Sequence, residues 1–322
     1  MITEQTKNEF WSMLHRELEG IADGAQNAPL LAHYTSLVNL ENILRSEQVW
    51  LSNPLYMNDL EEVRFGVNRG RDLVISNDRL RLALGGAERV GRFYGQIDRS
   101  YNHFANNEVL DLYLMCFSDH SKVGDDGLLS MWRGYGANGK GAAIVFDVSS
   151  VNDTENSPFV LAPVQYATQD ERLGYITAKI HEAAEYIAVQ TLDNEDLAWF
   201  ADALLRRIIL YAVFSKHIGF EEEKEWRFVY FKDRDGTGQI DSMMSYFSGP
   251  NGMQPKLKLD VKQIPGVLSE NVQLDKIIDR IIIGPSVSSP LSKLAAERML
   301  QHLEKEGLRD KIRMSSIPFR ET

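Results

Sequence analysis

LAHYTSLVNLENILRSEQVWLSNP, residues 31–54, is the stretch whose reading decides the fold. Residues 29–34 have the length and apolar content of a short strand. Leu37, Leu40, Ile43 and Leu44 then recur at helical spacing, with Thr35 or Ser36 as the N-cap. VWLSNP reads as a second strand, stopped by Pro54, whose missing N–H ends a ladder. The polar triplet His33-Tyr34-Thr35 stands at the strand-to-helix junction, where a pure core strand would stay apolar. A histidine at a strand end can simply hydrogen-bond a neighbouring backbone group, but a helix N-terminus leaves amides that favour anions such as phosphate, so the triplet can also face a ligand.

Working outward, residues 4–20 carry Phe10, Met13, Leu14 and Leu18 at helical spacing. Helices are expected from about 59, from 78 to 105, over 169–192 and over 195–217. LYLMCFSD (112–119), GAAIVFDV (141–148), FVLAPVQYA (159–167), WRFVYFKD (226–233), KLKLDV, DRIIIGP and KIRMSSIPF read as strands, and SPLSKLAAERMLQHLEKEG as an amphipathic helix. LLSMWRGYG reads as a short helix ending at glycine. The loosest stretch, residues 234–255, reads as a surface excursion. Scattered strands with unequal helical insertions favour a mixed α+β fold over a regular doubly wound sheet. The expected organisation is an N-terminal helix within 1–28 and one α+β domain over 29–322, with helical insertions at about 60–108 and 169–217.

Hydrophobic residues make up 43% of the chain and aromatics 10%, enough for a true core. Lysine and arginine total 35 against 46 acidic residues, a net charge of −11, which argues against a general nucleic-acid-coating surface. The lone Cys116 sits in an apolar run and reads as a buried structural thiol, and no Cys/His spacing suits zinc. The polar, acidic N-terminus does not resemble a signal peptide. No apolar run reaches the roughly 18 residues of a membrane span. A cytoplasmic, reducing location and no membrane association are therefore expected.

Four segments concentrate chemistry. The first is His33-Tyr34-Thr35. The second is LSNPLYMNDLEE (51–62), where Ser52, Asn53, Tyr56, Asn58, Asp59 and Glu62 crowd together, although these are also ordinary turn residues. In the third, SMWRGYGANGKG (130–141), Trp132, Arg133 and Tyr135 combine aromatic faces with a cation among glycines that admit close approach. It follows neither the Walker order nor G-x-G-x-x-G. The same set can equally pack on the sheet. In the fourth, GFEEEKEWRFVYF (219–231), alternation puts Glu225 and Arg227 on one strand face and Trp226 and Phe228 on the other. A carboxylate there can meet a sugar hydroxyl and stabilise positive charge developing at an anomeric carbon. The remaining histidines lack catalytic company, His120 being the least dismissible.

Taken together, HYTSLVNLENILRSEQVWLSNPLYMND, CFSDHSK, LLSMWRGYG, GKGAAIVFD, FEEEKEWRFVY and SSIPFR resemble a bacterial family called domain of unknown function 2971. More distantly, His-x-Thr on a first strand, an N-I-L-x-S helix, an aromatic-bearing second strand and a late strand-associated glutamate resemble the diphtheria-toxin-like branch of the ADP-ribosyltransferases. That resemblance implies a split β-sheet core and NAD as substrate, with no metal. It implies that His33 contacts the adenosine ribose with support from Thr35, and that Tyr56 or Tyr135 stacks the nicotinamide. Glu225 would steady the oxocarbenium-like transition state, and Arg133 or Arg227 the pyrophosphate. Tyr34, Ser52, Asn53 and Trp132 complete the expected nucleotide site. The pattern departs at Tyr34, where many relatives have glycine.

The function expected on this basis is cleavage of the nicotinamide–ribose bond and transfer of ADP-ribose to a protein, DNA or RNA acceptor, in a toxin or antiphage-defence role. A binding module that senses a nucleotide or nucleic-acid end is the alternative. A magnesium-dependent nuclease using Asp59, Glu62, Asp125 and Asp126 is a third reading, since carboxylates suit that ion.

Overall fold

A computed structural model describes residues 2–22, 30–57, 60–149, 157–249 and 252–319. In chain order the first elements are α1 (Glu4–Ala22), β1 (Leu30–Thr35), α2 (Leu37–Ser46), β2 (Gln48–Ser52), α3 (Leu60–Ser76), α4 (Asp78–Leu84) and α5 (Ala87–Asn106). There follow β3 (Leu112–Asp119), α6 (Leu129–Gly134), β4 (Ala142–Asp147), β5 (Phe159–Pro163), β6 (Gln165–Ala167), α7 (Gln169–Ala188) and α8 (Asn194–Val213). The last are β7 (Ser215–His217), β8 (Glu225–Phe231), β9 (Met244–Gly249), β10 (Gly252–Asp260), α9 (Leu274–Ile277), β11 (Ile278–Ile283), α10 (Pro290–His302) and β12 (Ile312–Met314).

The chain divides into two compact units. Met1–Asp23, Pro54–Leu112 and Val164–Phe220 make the first, and Gly24–Asn53, Tyr113–Pro163 and Glu221–Thr322 the second. The first unit gathers α1, α3, α4, α5, α7 and α8 with the short parallel pair β6–β7. The N-terminal helix is part of it: Phe10 is buried with its ring 4.4 Å from Phe200 and 5.3 Å from Tyr186. Capping boxes start both long helices, Thr168 with Glu171 and Asp193 with Asp196, so the first amides of each are satisfied. The single helix expected over 78–105 is broken at Gly85, whose φ of +80° ends α4. FVLAPVQYA likewise divides: β5 joins the large sheet of the second unit, whereas β6 pairs with β7.

The second unit is built on a mixed, open sheet, so the fold class is α+β. Its strand order is β12-β11-β4-β1-β3-β2-β10-β9, with β8 also pairing β3 and β5 pairing β8. The β11–β12 pair is parallel and β1, β3, β4 and β11 pair antiparallel. One sheet face packs Ile144, Phe146, Leu257, Leu259 and Ile281 against Leu40 and Leu44 of α2. The other packs Ala32, Tyr34, Val145 and Ile282 against Met131 and Trp132 of α6. The supposed excursion at 234–255 contains β9, which forms an antiparallel hairpin with β10. Its sequence, MSYFSG, is too short and too rich in small residues to announce a strand.

One irregularity positions the site. β1 pairs with β4 along its whole length, from Leu30↔Asp147 to Thr35↔Ala142. On its other side β1 meets β3 only at Leu31↔Asp119 and Ala32↔Ser118. β2 meets β3 only at Ser52↔Leu114, near the other end of that strand. The C-terminal half of β1 and the N-terminal half of β2 therefore stand apart, and the sheet opens between them.

Candidate functional site

A cleft of about 540 Å³ lies in this opening, within the second unit. β1 contributes His33 and Thr35, β2 contributes Gln48, Trp50 and Ser52, and β10 contributes Lys256. Ser36, Asn39 and Asn42 come from α2 and its cap, and Tyr135 from the loop after α6. The junction forms as its residue types dictate. Ser36 caps α2 through its hydroxyl, which accepts from the Asn39 N–H at 3.1 Å, and the Asn39 side-chain amide donates to Thr35 Oγ1 at 3.0 Å.

His33 is half-buried, and its Nδ1 lies 3.1 Å from the Cys116 carbonyl oxygen. That contact requires Nδ1 to carry the proton. Burial pushes the imidazole pKa below the ordinary histidine value, against the opposing pull of the Cys116 carbonyl, so the ring is neutral. Nε2 is then a hydrogen-bond acceptor. Lys256 is half-buried too, and burial holds its ammonium pKa below the usual lysine value. Its Nζ donates to Ser52 Oγ at 2.7 Å, and no carboxylate among the described residues pairs with it. Trp50 lines the cleft with 39% of its surface exposed and carries the Lys258 ammonium 4.4 Å above its ring.

Tyr135 at the rim places its hydroxyl 2.9 Å from Glu223 Oε1. Gly141 lets this loop reach β1, because a Cβ there would stand 2.1 Å from the Thr35 carbonyl oxygen. Behind β1, the buried Tyr34 hydroxyl accepts from the Leu128 N–H at 2.8 Å and lies 2.9 Å from His120 Nε2. Burial drives the Tyr34 pKa up and that of His120 down to about 4, the latter helped by Arg280.

The cleft thus brings together His33, Tyr34, Thr35, Ser52 and Tyr135 of the expected residues. It does not include Glu225. Leu31, Phe117, Leu161 and Phe228 line one apolar cavity, and alternation along β8 turns Glu225 and Arg227 to the opposite sheet face. Both are buried, and the guanidinium grips the carboxylate through Nε–Oε1 at 2.8 Å and Nη2–Oε2 at 3.2 Å. His33 shares the Leu31 face, whereas Glu225 lies on the face that carries Ser52, Trp50 and Lys256, outside the cleft lining and held by the Arg227 guanidinium.

Trp132 is fully buried and its indole N–H donates to the Asp126 carbonyl at 2.8 Å, so it is core and not a stacking platform. Arg133 is exposed, with its guanidinium 5.9 Å from the Phe319 ring. Asn53 is fully buried, and Tyr56 belongs to the first unit. Of the carboxylates named for magnesium, Asp59 and the Glu62 side chain lie outside the described residues. Asp125 faces Arg280 and Arg313, and Asp126 Oδ1 accepts from the Ser316 N–H and hydroxyl. Among the described residues no three His, Cys, Asp or Glu side chains converge on a metal position. Sequence reasoning missed Lys256, because a lone lysine on a strand carries no local signal; only its register opposite Ser52 reveals it.

Residues 131–228 match a family described as a protein of unknown function (DUF2971). No curated protein and no solved structure matches. None of these comparisons supports the resemblance to ADP-ribosyltransferases. Among the described residues no helix is long and apolar enough to cross a membrane.

Proposed function

We propose that the cleft of the second unit binds a nucleotide, with NAD as the first ligand to test. Lys256 carries the reading: a half-buried ammonium without a carboxylate among the described residues calls for an anion. A phosphate fits that need. The neutral His33 Nε2 suits a ribose hydroxyl as donor, and the Trp50 ring suits a planar base. The volume falls in the roughly 300–1,000 Å³ range of small-molecule sites. The test is calorimetric titration of NAD, ADP-ribose and AMP into wild type and Lys256→Met. Loss of a charge-assisted hydrogen bond is expected to weaken binding about tenfold or more. Absence of binding by all three, or equal binding to the variant, refutes the reading.

ADP-ribosyl transfer is a second reading, favoured by the Tyr135–Glu223 pair at the rim. Glu223 would take the role expected of Glu225. In that reaction the nicotinamide–ribose bond breaks, its electron pair leaves with neutral nicotinamide, and an acceptor hydroxyl, amine or water attacks the anomeric carbon and loses a proton. A carboxylate near that carbon lowers the barrier by stabilising the oxocarbenium-like charge. Nicotinamide release from NAD, present in wild type and absent in Glu223→Gln, supports this reading. No release by wild type with protein, DNA, RNA or water as acceptor rejects it.

A further inference from the structure

The strand pairs Trp50↔Lys258, Ser52↔Lys256 and Gln254↔Phe247 place these six residues on one face of the β2–β10–β9 end of the sheet. Alternation sends Val49, Leu51, Leu257 and Leu259 to the other face, where they are buried in the core. An outward face is expected to be polar, yet it presents two large rings, Trp50 at 39% and Phe247 at 41% exposure, with centroids 5.9 Å apart. Lys256 and Lys258 stand beside them, and neither has a carboxylate partner among the described residues. Asp260, at the far end of the same strip, is already paired with Lys262 at 2.8 Å. On a chain of net charge −11 this is a local positive, aromatic surface, and Trp50 and Lys256 continue it into the cleft.

From this we infer that the β2–β10–β9 face binds single-stranded nucleic acid. Unpaired bases have free faces to stack on Phe247, while phosphates meet Lys256 and Lys258. A duplex hides those faces, and an acidic peptide makes no use of the rings. The outer two strands are roughly 10 Å apart, so the strip serves a short run of bases that leads toward Trp50 and the cleft. The inference extends the nucleotide reading of the cleft, but the two are measured separately.

Fluorescence anisotropy of a labelled oligothymidylate at low salt tests it. Unlabelled oligouridylate, a duplex and polyglutamate serve as competitors. Phe247→Ala and Lys258→Gln, neither of which lines the cleft, are the variants. Binding is expected with a log–log salt slope of about −1.4 for two lysine–phosphate contacts. Each variant is expected to weaken it by about fivefold or more, with ADP-ribose affinity unchanged. No binding at low salt, equal competition by duplex or polyglutamate, or variants that bind like wild type overturns the inference. Loss of ADP-ribose binding alone, with oligonucleotide binding intact, removes the cleft reading and leaves this one standing.

Discussion

The Nδ1 atom of His33 lies 3.1 Å from the Cys116 carbonyl oxygen, across the gap where β1 has left β3. A side chain here replaces a ladder hydrogen bond that the diverging backbones cannot make. The same contact fixes the tautomer and leaves Nε2 as an acceptor. In the proposed nucleotide site, structure and recognition would thus be coupled in one imidazole.

His33→Leu therefore removes a structural bond as well as the ligand contact proposed for Nε2. Leaving the Cys116 carbonyl without its donor is expected to cost about 1–3 kcal/mol. His33→Gln, which keeps an N–H donor, should cost less. Urea unfolding of the three proteins measures the difference; equal stabilities would mean that the carbonyl finds another donor.

Buried His120 predicts a pH dependence of stability. Its folded pKa is about 4, depressed first by burial and then by Arg280, while the unfolded chain titrates near the ordinary 6.5. Below pH 6.5 the unfolded chain binds the proton and the folded protein does not. Stability is complete above pH 6.5 and falls as pH drops toward 4, by up to about 3 kcal/mol from this group. The lowered pKa of His33 adds in the same direction. His120→Phe should flatten the slope between pH 4.5 and 6.5 by up to about one proton. An unchanged slope would place the titration elsewhere.

The loop that carries Tyr135 depends on a glycine for contact with β1. A Cβ on Gly141 would meet the Thr35 carbonyl oxygen at 2.1 Å and the Gly136 carbonyl oxygen at 2.8 Å, both backbone atoms that cannot step aside. Gly141→Ala is expected to destabilise by more than about 2 kcal/mol. At Gly134, where a Cβ meets open space, alanine should be neutral within about 1 kcal/mol. Thermal melting of both variants makes the comparison, and similar losses would contradict it.

How much of this could be read in the chain follows from the range of each signal. The β1–α2–β2 stretch was legible because hydrophobic period and cap chemistry are local, and Ser36 is indeed the cap. The β9 strand was not, because MSYFSG is a strand only through its register with β10. The site divides in the same way. His33 and Thr35 were visible as a polar triplet, and Glu225 and Arg227 were correctly read as sharing a face. Which face that was depends on how β8 is inserted beside β3, a relation between segments more than a hundred residues apart in number. Trp132 looked like a stacking platform because composition does not reveal that its indole is enclosed.

Glu223, just before β8, and Glu225, its first residue, carry opposite expectations. Glu225 is buried with both carboxylate oxygens on the Arg227 guanidinium. Removing one partner takes a charge-assisted contact out of the protein interior, so Glu225→Gln and Arg227→Met are each expected to destabilise, by up to about 3–5 kcal/mol. Because Glu225 does not line the cleft, Glu225→Gln should bind ADP-ribose as wild type does wherever it remains folded. Glu223 is only partly buried, and its replacement by glutamine should leave stability within about 0.5 kcal/mol. If transfer occurs, Glu223→Gln should reduce nicotinamide release by about 100-fold or more, with ADP-ribose affinity retained. Unfolding curves, calorimetry and nicotinamide assays on the same two variants separate the roles. A stable Glu225→Gln that binds ADP-ribose but releases no nicotinamide, beside a fully active Glu223→Gln, would return the chemistry to Glu225.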